Sequence, residues 1–130
     1  MVKEDLPLAA LGKHLLLELK DCNTGLLNDI EYLRRTLTEV AGHIGATVIK
    51  DDFYQFTPQG VSGVIIIAES HISIHTWPEH NYAAVDIFTC GDVIEPKNAV
   101  RLLVEKLQAK SSSYREIKRG IFIESGLAVS

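Results

Sequence analysis

Ser70 stands directly after Glu69 where two strand-like runs meet, and the chain then offers His75 and Cys90 at positions a reaction can use. A serine hydroxyl beside a tight reversal can attack the carbonyl that precedes it, because such a turn can hold a peptide in a sparsely populated geometry. The plainer reading is a hairpin with polar turn residues. Upstream, the run Val64, Ile65, Ile66, Ile67 and Ala68 has the pattern of a strand buried on both faces. Downstream, residues 71–77 alternate. Ile72, Ile74 and Thr76 share one face, and His71, Ser73, His75 and Trp77 share the other.

Other constellations are weaker. His71, His75 and nearby His80 invite a zinc ion, yet a tetrahedral site needs further ligands, and Cys22 and Cys90 lack the paired spacing of zinc motifs. No metal is therefore expected. A hydrolytic serine triad lacks its signature, since neither Ser62 nor Ser70 lies in a G-x-S-x-G pattern. Cys90 is a thiolate nucleophile or a small buried hydrophobe. His14 and His43 are assigned no chemistry.

The elements that must position these residues follow from periodicity. Residues 1–11 read as an arm and 13–20 as a strand. Leu26, Ile30, Leu33, Leu37, Val40 or Ala41, and Ile44 then form one stripe of an amphipathic helix, capped by Asn23 or Thr24 and ended by Gly42 or Gly45. Strands are expected over 46–56 and 82–89, the latter placing Ala83, Val85 and Ile87 opposite Asp86, Phe88 and Cys90. Pro96 suits the first turn of a second helix, with Ala99, Val100, Leu103, Val104 and Leu107 inward. The triplet 111–113 reads as a connector, 114–123 as a closing strand, and 124–130 as a tail. This order implies a single α+β domain over 12–123, a two-layer sandwich of a largely antiparallel sheet with two helices packed on one face. The other face is left for polar groups or a second subunit.

Composition narrows the classes. A chain of 130 residues suits one domain with a sizeable core. Its formal charge of -4, without a basic run, argues against nucleic acid. Two cysteines are too few for a disulfide scaffold, and no apolar run reaches membrane-spanning length. Acidic residues interrupt the early apolar stretches, so no signal peptide is read and a cytoplasmic location is expected.

The stretch 60–91 closely resembles the small prokaryotic S-adenosylmethionine decarboxylases, which make their own pyruvoyl cofactor. The resemblance rests on GVSG at 60–63, ESH at 69–71, HTWPE at 75–79 and FTCG at 88–91, in order, and extends more weakly over 12–120. It implies self-cleavage between Glu69 and Ser70, into a β chain of residues 1–69 and an α chain of residues 70–130. The Ser70 hydroxyl would attack the Glu69 carbonyl, exchange amide for ester, and lose the acyl group by β-elimination, so that position 70 ends as the pyruvoyl group. His75 matches the base for that elimination, and imidazole is the side chain whose charge changes nearest neutral pH. Ser62 matches a residue assisting the rearrangement. The substrate amine would form a Schiff base with the ketone, which accepts the electrons released with CO2. Cys90 matches the donor that protonates the resulting carbanion as a neutral thiol. Phe56 matches an aromatic stacking on adenine, and Glu79 a carboxylate for the ribose hydroxyls. The implied product is the aminopropyl donor for spermidine synthesis, made without PLP or metal by a homodimer of αβ units with sites at or near its interface.

Two rivals stay open on residues alone. Pyruvoyl-dependent arginine or ornithine decarboxylases share the chemistry, and an unprocessed binding module with an inert Ser70 shares the fold. Glu124 and Ser125 repeat the dipeptide without flanking strands and read as a coincidence.

Overall fold

The structure, a computed structural model, describes residues 10–68, 70–90, 96–123 and 126–127. Glu69, residues 91–95, most of the expected arm and residues 124–125 and 128–130 of the expected tail lie outside it.

Buried leucines at alternate positions, Leu15, Leu17 and Leu19, commit one face of β1 (Ala10–Lys20) to the interior. A single helical turn, α1 (Thr24–Leu27), and then α2 (Ile30–His43) follow. The strands β2 (Val48–Gln55), β3 (Val61–Ile67) and β4 (Ser70–Trp77) form a meander. A 3-10 turn at Pro78–His80 leads into β5 (Tyr82–Cys90), then α3 (Pro96–Leu107), β6 (Ser111–Ile123) and the short β7 (Gly126–Leu127). The sheet order is β2-β3-β4-β5-β1-β6-β7, and every pairing is antiparallel.

Both long helices cover the same face. Leu33, Leu37, Val40 and Ala41 of α2 and Ala99, Leu103 and Leu107 of α3 pack on Leu15, Leu17, Ile65, Ile72, Ile74, Val85 and Ile87, all essentially inaccessible. Burial of each such leucine or isoleucine contributes about 2 kcal/mol. Tyr32 of α2 donates its hydroxyl to the Lys106 carbonyl of α3 at 2.7 Å, which locks the two helices together. The result is the expected two-layer α+β sandwich with one sheet face uncovered.

Chain order and sheet order are interleaved. A break after residue 69 would put β1, β2 and β3 on one fragment and β4, β5 and β6 on the other. Yet β1 lies between β5 and β6, and β3 pairs with β4. Three ladders of backbone hydrogen bonds would therefore cross between the fragments.

Several expectations need correction. The single helix from Leu26 is two, because the Asp29 side chain accepts from the Tyr32 amide at 3.0 Å and starts α2 afresh. Asn23 caps α1 in the same way, and Gly45, at φ 75, takes the left-handed conformation just beyond α2. β1 begins at Ala10, inside the expected arm, and the triplet 111–113 is strand, paired with Lys20, Leu19 and Glu18. Residues 126–127 of the expected tail pair with Phe122 and Ile123. At the serine triplet, ladder bonding to a neighbour overrides a polar local composition. The run 64–68 is not buried on both faces: Ile65 is inaccessible, while Ile66 is 44% exposed on the uncovered face. Among the described residues no helix is long and apolar enough to cross a membrane.

Candidate active site

The hairpin of β3 and β4 sets the geometry. Ile67 pairs with Ser70, and the register then carries Ser62 opposite His75. Directly opposed antiparallel residues share a face, so the Ser62 hydroxyl meets the His75 ring: Oγ lies 2.7 Å from Nδ1. Both line a cavity of about 290 Å³ with Asp52, Tyr54 and Val64 on the uncovered face.

Phe56 and Glu79 gather at this same end. Phe56 follows β2, is 46% exposed, and stands edge-on to Tyr54 with ring centroids 4.9 Å apart. Its loop is pinned by Asn28, whose side-chain oxygen accepts from the Gly60 amide at 2.9 Å and from Gln55 Nε2 at 2.8 Å. Gly60, at φ 107, sits between Phe56 and the 76–78 segment. A side chain there would meet the Thr76 carbonyl oxygen at 3.3 Å and would approach Pro78 and Phe56. Glu79 is exposed on the 3-10 turn. Thr76 anchors the ensemble from below, accepting from the Val61 amide at 2.9 Å and donating to the Leu27 carbonyl at 2.8 Å.

Ser70 and Cys90 occupy the opposite end. They line one cavity of about 310 Å³ with Thr89, Ile67, Ala68 and the segment 44–47 that follows α2. Both are half-buried. The other cysteine, Cys22, is 4% exposed, and burial, reinforced by Asp21, pushes its thiol up to about 11, so it is a packing residue.

The expected residues thus fall into two groups: Ser70 with Cys90, and Ser62, His75, Phe56 and Glu79. Along β4, five residues at about 3.4 Å each put His75 roughly 17 Å from Ser70. His75 of one chain is therefore beyond proton-transfer reach of its own Ser70. Glu69 lies outside the described residues. His71 packs against Phe88 and His14 while His75 meets Ser62, and among the described residues no group of three metal-binding side chains comes together.

Trp77 is a further candidate beside His75, one to which the sequence alone assigns no role. It is 40% exposed, shares the His75 face with ring centroids 6.4 Å apart, and leans on Tyr82 at 5.3 Å. Tyr82 in turn donates to Glu18 at 2.7 Å, and burial followed by that bond raises its phenol to about 12. The strict alternation of 71–77 already placed Trp77 two residues beyond His75 on one face, which was the available signal.

The family model described as S-adenosylmethionine decarboxylase matches residues 13–120. The S-adenosylmethionine decarboxylase proenzyme of Clostridium tetani is 53% identical over 112 residues, covering 86% of this chain and 89% of that protein. The corresponding proenzyme of Thermodesulfovibrio yellowstonii is 50% identical over 112 residues, covering 86% and 83%. The crystal structure of the adenosylmethionine decarboxylase from Aquifex aeolicus superimposes with a TM-score of 0.81 at 36% identity, covering 89% of this chain and 96% of that one.

Proposed function

Because the chain belongs to the S-adenosylmethionine decarboxylase family, we propose that it is an S-adenosylmethionine decarboxylase made as a proenzyme and activated by cutting itself between Glu69 and Ser70. The observation that carries the reading is the common cavity of Ser70 and Cys90 at the end of the β3 and β4 hairpin. One residue supplies the reactive group and the other a proton, and they share a confined space. The arginine, ornithine and non-catalytic alternatives are not favoured, since the relatives reported above are decarboxylases of S-adenosylmethionine by name.

A pyruvoyl group made from Ser70 fits the surroundings. It needs no separate binding pocket, only room at a strand end, and the cavity beside Thr89 and Cys90 supplies it. When formed, the group provides a ketone that withdraws electrons from the bond to the departing carboxylate. Around it, Cys90, which lines the same cavity, would deliver a proton to carbon. Ser62 and His75 form a hydrogen-bonded pair suited to moving a proton during self-cleavage. Phe56 and Trp77, exposed on either side of Gly60, offer π faces to a purine or to a sulfonium cation, and Glu79 offers acceptors to ribose hydroxyls.

The separation of the two groups supports a second copy of the chain as the remaining component. The uncovered face bears exposed Ile66, Ile117, Trp77 and Phe56. Two such faces stacked about a two-fold running across the strands bring the Ser70 end of one chain over the His75 end of the other. The homodimer then has two sites, each built from both protomers. The interleaved ladders hold the two fragments of each protomer in one sheet after cleavage.

Denaturing mass measurement tests the proposal. Two fragments are expected, the smaller, residues 70–130, bearing a carbonyl at its amino terminus that an amine and cyanoborohydride trap, with CO2 released from carboxyl-labelled S-adenosylmethionine. An intact chain, or CO2 from arginine or ornithine alone, refutes it.

A further inference from the structure

Self-cleavage creates a mechanical difficulty that the register of β4 makes specific. In the uncut chain, position 70 is tethered on both sides. After the cut it becomes a chain terminus, and strand termini fray. The reactive group would ride on that terminus, so something other than the severed backbone must keep it in the cavity that Cys90 also lines.

His71 is the first residue able to do so, and its surroundings differ from those of a solvated strand position. It pairs directly with Phe88 on β5, which pairs in turn with His14 on β1. The His71 ring lies 5.7 Å from the Phe88 ring and 6.2 Å from the His14 ring, the latter edge-on. Phe88 is itself immobilised. His14 meets it edge-on at 5.7 Å, and the Arg119 guanidinium lies over it at 5.3 Å. Below it, a side chain at Gly12 would come within 2.8 Å of the ring, so the bare backbone of Gly12 makes the space that Phe88 fills. Gly12 is also the register partner of Cys90. One aromatic ring therefore abuts the residue after Ser70, lies two residues before Cys90 on its own strand, and fills the gap over the glycine that pairs with Cys90.

Resting on the self-cleavage reading above, we infer that His71, packed against Phe88 and His14, is a positioning residue that holds the severed end of β4 against the end of β5 that carries Cys90. The contact is dispensable while the chain is continuous and matters once it is cut. A residue of merely general structural importance would matter equally in both states.

The test compares wild type with His71→Ala and His71→Phe after maturation, reading cleaved fraction by mass, kcat and KM for S-adenosylmethionine per cleaved chain, and amide hydrogen exchange over residues 71–74. His71→Ala is expected to cut, then to lose about tenfold in kcat with KM within about twofold, and to exchange about tenfold faster, the scale of one aromatic contact. His71→Phe should restore both. In an uncut Ser70→Ala background, the same His71→Ala change should alter exchange by less than about twofold, as the tether is intact. If His71→Ala fails to cut, Phe88→Leu reads the same contact from the other side, with the same expected fall in kcat. Wild-type kcat and exchange in His71→Ala, no rescue by phenylalanine, or an equal exchange effect in the uncut background each overturn the positioning role. A wild-type chain that is never cut refutes the underlying reading instead, and its mass alone distinguishes the two failures.

Discussion

Co-expression of two chains that cannot mature alone gives the sharpest test of a site shared between protomers. His75→Ala retains Ser70 but lacks the proposed base, and Ser70→Ala retains His75 but has nothing to cut. A base must come within about 3 Å of its proton, directly or through one water, whereas about 17 Å of strand separates the two positions within a chain. If the base comes from the other copy, a His75→Ala chain is rescued whenever its partner is Ser70→Ala. Random pairing at equal expression makes that so for about half of the His75→Ala chains in a symmetric dimer. Mass measurement should then find about half of the His75→Ala polypeptide cut and ketone-bearing, none of the Ser70→Ala polypeptide cut, and neither cut when expressed alone. A mixture proven by tagged pull-down to contain mixed dimers, yet uncut, would refute the shared site. Normal cutting of His75→Ala alone would remove the residue from the reaction.

Three further outcomes are expected. Cys90→Ala should still cut itself while decarboxylation falls about a hundredfold or more, the usual worth of a placed proton donor; unchanged turnover reassigns the proton to another group. Thr76→Val strands the Val61 amide and the Leu27 carbonyl that the hydroxyl now serves, at a cost of about 3 kcal/mol in urea unfolding of the uncut Ser70→Ala chain. A loss below about 0.5 kcal/mol contradicts the assigned bonds. His14 titrates below its usual 6.5, chiefly because burial disfavours its charged form, with Asp86 opposing and Arg119 and His71 reinforcing. Between the lowered folded value and 6.5 the unfolded chain binds more protons, so this contribution to stability is complete above 6.5 and is lost as pH falls. The urea midpoint should drop on acidification from pH 7.5 to 5, and His14→Phe should flatten that drop; an unchanged slope denies His14 the role.

Period and register made much of this legible. The alternation in 71–77 and 82–90 correctly sorted buried Ile72, Ile74, Val85 and Ile87 from His75, Asp86 and Cys90. The order of the elements placed both long helices on one face of the sheet, and their hydrophobic stripes picked the side of each that is buried. What failed were positions where bonding to a distant strand decides the outcome. Nothing local in Ser111, Ser112 and Ser113 predicts a strand, because their partners, Lys20, Leu19 and Glu18, lie some ninety residues earlier. The run 64–68 looked doubly buried since composition reports apolarity without saying which face has a neighbour. Ile66 is apolar and exposed in one chain for that reason.

The same limit explains why the motifs named candidate residues but hid how they divide in space. GVSG, ESH, HTWPE and FTCG lie within 32 consecutive residues, which invites one compact site. A hairpin converts that proximity into distance, since residues near the reversal and residues near the strand ends occupy opposite ends of the sheet. Ser62 and His75, thirteen apart in sequence, touch; Ser70 and His75, five apart, cannot. Interleaving then favours a cut at the reversal over one elsewhere. There the severed ends belong to strands already paired along their length, β3 to β4, and β1 enters between β5 and β6. Maturation can remove one covalent bond while leaving the ladders that define the site intact.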